Sequence, residues 1–82
     1  MGRTVDEKLE FNRGKNTPFS IGYILAVNSY RSYVKGDAEA RAAIKGTIDS
    51  SKELAKMGDE MGKGFMCGIR DAANERKARK KK

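Results

Sequence analysis

Apolar positions recur along this chain at spacings of three and four, and period-two alternation is scarce, so the pattern predicts helices and no strands. Thr4-Val5-Asp6-Glu7 matches a capping box, in which the Thr hydroxyl and the Glu carboxylate each satisfy an orphan backbone amide. It opens a short helix over about 5–12 with Val5 and Leu9 on one side, ended by Asn12 and Gly14. Thr17-Pro18 is the next start signal: Thr17 caps, and Pro18 loses an amide that had no helical partner. The helix it opens covers about 17–35 and is apolar nearly all round. Phe19, Gly22, Tyr23, Ala26, Val27, Tyr30 and Val34 share one broad face, with Ile21, Ile24 and Leu25 elsewhere. Such a helix belongs at the centre of a fold. Gly36 is expected to close it in the left-handed conformation.

Asp37 caps a helix over about 38–57, with a narrower stripe of Ala40, Ile44, Ile48, Ser51 and Ala55 flanked by Leu54. Gly46 weakens its middle by up to about 1 kcal/mol relative to Ala. Ser50-Ser51-Lys52-Glu53 repeats the capping-box pattern, so a break near Ser50 is an alternative. Gly58 ends this segment and Asp59 caps a last helix over about 60–79, whose buried stripe is Met61, Phe65, Gly68, Ile69 and Ala72. Met57, Met61 and Met66 read as core filler. The expected fold is therefore all-α. One domain, 1–79, holds a bundle of three principal helices with the short helix packed across it, and the basic tail 80–82 frays.

The second and last helices echo each other. Phe19-x-x-Gly22-x-x-x-Ala26-x-Asn28 matches Phe65-x-x-Gly68-x-x-x-Ala72-x-Asn74. Gly22 with Ala26, and Gly64 with Gly68 and Ala72, would form small-residue grooves that let helix backbones approach closely, each sealed by a Phe. The two grooves pack on each other within one chain, or join two chains as a homodimer, or the echo is coincidence in a chain rich in Gly and Ala.

Composition narrows the function. The chain has 82 residues, 18 Lys plus Arg, 11 Asp plus Glu, one Cys and no His or Trp. Val, Ile, Leu and Phe are only 14 of 82, so the core must be thin. A lone Cys makes no internal disulfide, and without His the usual zinc sites are closed, so neither metal nor cofactor is expected. Cys67 lies beside an apolar stripe with no nucleophile motif, and Asp59-Glu60 suits a helix start better than acid–base chemistry. Gly58, Gly62, Lys63 and Gly64 do not meet the phosphate-loop pattern. No enzyme is expected. The first residues hold no apolar signal segment, and Asp6 stands where myristoylation requires Ser or Thr. The most apolar run, 19–27, is half a membrane span, so a cytoplasmic protein with a reduced Cys67 and no membrane contact is expected.

The net charge of +7 is uneven: residues 1–69 carry +2 and residues 70–82 carry +5. Arg70, Arg76, Lys77, Arg79 and Lys80 are accordingly the candidate phosphate contacts, with Arg31 and Tyr33 as additions near the end of the central helix. The favoured partner is nucleic acid or a nucleic-acid-associated protein. The alternative is a protein-interaction module or inhibitor whose helix faces, at Tyr33, Met57 or Met66, do the binding while the tail is incidental. No family is recognised from the motifs. In kind, the small size, basic end and Gly-rich helical motif resemble the small proteins of phages and other mobile elements. That resemblance implies inhibition of a host nucleic-acid enzyme, as by anti-CRISPR proteins, as one form of the alternative.

Overall fold

A computed structural model describes the backbone of residues 4–80 and the side chains of 4–78. Four helices follow in order, α1 (Val5–Arg13), α2 (Pro18–Lys35), α3 (Ala38–Lys56) and α4 (Glu60–Lys80). Each begins where a side chain takes an orphan amide. Thr4 Oγ1 accepts from Glu7 N at 3.1 Å while Glu7 Oε1 accepts from Thr4 N at 3.1 Å, completing the box. Thr17 Oγ1 accepts from Ser20 N at 3.2 Å, Asp37 from Ala40 N at 2.9 Å, and Asp59 from Gly62 N at 2.8 Å. The second capping-box match at Ser50 does not act, and α3 runs unbroken to Lys56. Ser51 is buried there against Gly62 of α4, and that contact needs the helix intact.

The two helix exits differ. After α3 the chain takes a Schellman turn: Gly58 has φ +89°, Gly58 N donates to Ala55 O at 3.1 Å, and Asp59 N to Leu54 O at 3.0 Å. Gly36 departs from its expected left-handed form and sits at φ −83°, ψ 165°. Asp37 caps α3 immediately afterwards, so the link stays extended. The missing side chain still matters, since a methyl at Gly36 would meet the Ala40 Cβ at 2.9 Å.

Helix α2 touches all three others and packs most extensively on α4. At this seam Gly22 faces the Met61 carbonyl and the Phe65 amide, Gly64 faces the Phe19 backbone, and Gly68 faces the Ala26 methyl and the Tyr23 carbonyl. A Cβ at Gly22 or Gly64 would overlap backbone atoms. Ala26, Phe65 and Ala72 are buried, and Phe19 is half-buried. Because the Gly/Ala faces meet within one chain, a homodimer through them would have to open this seam. Val5 and Leu9 of α1 close over Tyr23 and Val27 to make the main apolar cluster, with Ile24 and Cys67 packed against it. The thinnest dimension of the molecule is 19 Å, about two helix diameters.

Several apolar side chains expected inside are outside. Met57 is 81% exposed because it lies at the C-cap, where the chain leaves α3. Met61 is 40% exposed, since its backbone rather than its side chain fills the seam at Gly22. Ile21, Leu25 and Leu54 are likewise exposed, and Tyr30 is only half-buried. Three neighbours cannot enclose α2, so the side carrying Ile21 and Leu25 meets water.

Candidate nucleic-acid interface

On the C-terminal half of α4 the acids turn inward and the cations outward. Asp71 has only 12% of its side chain exposed. Its Oδ2 accepts from the Tyr23 hydroxyl at 2.7 Å and from Lys8 Nζ at 3.1 Å. Burial works to raise the Asp71 carboxyl, but the Tyr23 and Lys8 hydrogen bonds outweigh it and hold the group below its ordinary value. Burial, then the same hydrogen bond, pushes the Tyr23 phenol up. Glu75, 20% exposed, accepts from Arg31 Nη2 at 3.3 Å, and Arg31 Nη2 also donates to Asp6 at 3.0 Å. Burial alone would lower the Arg31 value, and the two carboxylates raise it instead.

Lys63, Arg70 and Lys77 follow one another at intervals of seven residues, so they share the outer side of α4 at steps of about 10 Å. Arg70 is 69% exposed and Lys63 48%, and Lys77 is exposed too. Their nearest acids are loose: Arg70 Nε stands 3.6 Å from Asp71 and Lys63 Nζ 3.8 Å from Glu60. The exposed Lys63–Glu60 pair holds little free energy at that distance, and Asp71 is already engaged by Tyr23 and Lys8, so its contact with Arg70 is a loose one.

The remaining candidates fall in different places. Arg76 is exposed and joins Arg31 on the wall of a groove of about 450 Å³, together with Asp6, Tyr30, Val34 and Glu75. Arg31 is thus committed to carboxylates of α1 and α4. Tyr33 stands apart, stacked on Tyr30 at 5.9 Å and 27° with the Arg41 guanidinium 5.9 Å from its ring. The backbone of Arg79 and Lys80 is helical, and their side chains lie outside the described residues.

A second groove, of about 490 Å³, opens between α1, α2 and α4. Lys8, Lys15 and Arg70 bring positive charge to it, and Phe11, Phe19 and Tyr23 bring rings. Lys15 Nζ stands 4.1 Å from the Phe11 ring centroid. A chain of hydrogen bonds lines one side: Thr17 Oγ1 to Ser20 Oγ at 3.0 Å, Ser20 Oγ to Asn12 Oδ1 at 2.8 Å, and Asn12 Nδ2 to the Lys8 carbonyl at 2.7 Å. Sequence reasoning singled out neither Phe11 nor Asp71. Phe11 did carry a signal, being off the Val5/Leu9 stripe with a Lys four residues on. Asp71 carried none, since its partners are 48 and 63 residues away.

Among the described residues no group of His, Cys, Asp or Glu is arranged to hold a metal, and no helix is long and apolar enough to cross a membrane. The chain matches no family model, no curated protein and no solved structure.

Proposed function

We propose that this is a non-enzymatic, cytoplasmic nucleic-acid-binding protein whose α4 outer row and basic end contact phosphates. The observation that carries this reading is the sorting of charge on α4. Asp71 and Glu75 are held by Tyr23, Lys8 and Arg31, which leaves Lys63, Arg70, Arg76 and Lys77 facing solvent. Arg79, Lys80, Lys81 and Lys82 continue the basic sequence. Phosphate contacts of this kind release counterions and bind without regard to sequence.

The test is fluorescence anisotropy of labelled nucleic acid across a salt series. With about six phosphates neutralised, log K should fall against log salt with a slope near −5. The double variant Arg76→Ala/Lys77→Ala should reduce that slope by about two. A slope unchanged in the variant removes the basic end from the interface.

A second reading has its own support. Leu25, Leu54 and Met57 are half or more exposed, or close to it, and such side chains suit a protein partner. Absence of nucleic-acid binding even at low salt would transfer the function to those faces, as an interaction module or inhibitor.

A further inference from the structure

Phosphate contact along α4 does not account for the groove between α1, α2 and α4. Its surface combines Phe11, 50% exposed, with the exposed cations Lys15 and Arg70, above a floor that includes the buried Tyr23. The ammonium over the Phe11 ring belongs to a long, rotatable side chain that a flatter ligand can replace. The volume of about 490 Å³ falls within the range of small-ligand sites and admits one nucleobase.

We infer that this groove receives an unpaired base of single-stranded nucleic acid, stacked on Phe11, with Lys15 and Arg70 on the flanking phosphates. Every base has a π-face, so stacking on an aromatic ring tolerates any sequence. The floor adds to that tolerance. Asp71 Oδ2 is taken by Tyr23 and Lys8, Asn12 and Ser20 bond each other, and no buried side-chain polar atom among the described residues lacks a partner. No buried polar atom there waits unpaired for a particular base edge. When a base enters, the Lys15 ammonium gives up the ring and moves to the phosphate beside it. A duplex keeps its bases stacked inside and cannot present one to Phe11 without unpairing it. Arg70 belongs both to the groove and to the outer row, so the strand leaves the groove along α4 towards Lys77.

The inference rests on the phosphate-contact reading and narrows it to single strands. It is tested by anisotropy with a labelled oligothymidine and a labelled duplex of equal length, at one salt concentration. The protein should bind the single strand at least about tenfold more tightly. Phe11→Leu keeps the apolar bulk and a good helix former but removes the π-face. It should cost about tenfold on the single strand and less than about twofold on the duplex. Phe11→Tyr should bind the single strand like the parent protein. Circular dichroism confirms that both variants are folded. Equal losses on the two ligands, or no loss with Phe11→Leu, overturn the groove inference and leave the α4 reading standing. Failure of the unmodified protein to bind either ligand at low salt overturns the α4 reading, and the groove inference falls with it.

Discussion

Along the seam between α2 and α4 the backbones approach at three glycines, Gly22, Gly64 and Gly68, whereas α3 meets the backbone of α4 at one, Gly62, and buries only Ser51. All three helices carry an apolar stripe, and all three contain glycine. What separates them is what the glycine faces. Gly22, Gly64 and Gly68 face another helix across the α2–α4 seam, as Gly62 of α4 faces α3, while a Cβ at Gly46, the glycine of α3 itself, would meet nothing within 4 Å. The same residue type therefore permits close packing in one region and only weakens the helix in the other. A small protein with few large apolar residues gains cohesion where backbones approach, and α3 is held at fewer such points than α2.

The sharpest way to break this comparison is Gly64→Ala. The added methyl would overlap the Phe19 backbone, which cannot rotate away, so the loss should be about 3 kcal/mol or more. Urea unfolding followed by circular dichroism reads it. An effect below about 1 kcal/mol would mean that the seam can spread, contrary to its role here.

Asp71→Ala should have the next largest effect, about 1–3 kcal/mol, because it strips Tyr23 and Lys8 of their shared acceptor. Its pH dependence follows from the depressed Asp71 value. A carboxyl held lower in the folded than in the unfolded state stabilises the fold above the unfolded value, and that stabilisation is lost as pH falls through the folded one. The difference between the parent and Asp71→Ala should be full at neutral pH and shrink below the ordinary value of 3.8. A gap that stays constant into acid would show that lost packing, rather than ionisation, makes the difference.

Gly46→Ala sharpens the comparison from the other side and has the smallest effect. With open space around it, Ala should stabilise α3 by about 0.5–1 kcal/mol through helix propensity alone. Its sign, opposite to that of Gly64→Ala, is the outcome to look for in the same urea experiment.

The helix starts were legible because each rests on a local device: Thr4 with Glu7, Thr17 with Pro18, Asp37, and Asp59. The all-α class followed from the spacing of apolar positions. What failed were statements about which way a side chain faces once neighbours are in place. Met57 and Met61 have the spacing of core residues, yet one lies at a cap and the other lends its carbonyl to Gly22. Gly36 has the position of a left-handed exit, yet the cap of α3 follows too soon for one. In the candidate site the basic sequence of α4 was readable. Its inward acids were not, because Asp71 meets Lys8 and Tyr23 only after α1, α2 and α4 have come together.

The α2–α4 seam also bears on how quickly the chain can fold. Residues 19 and 64, whose backbones touch, are separated by the whole of α3. In a bundle whose successive helices simply stack on one another, most contacts form between neighbours in sequence. Here the most extensive contact joins the second helix to the fourth. The entropy of closing that long loop must be met before the seam returns any stabilisation. Folding should accordingly be slower than for a neighbour-stacked bundle of equal length, with the α2–α4 encounter as its limiting event.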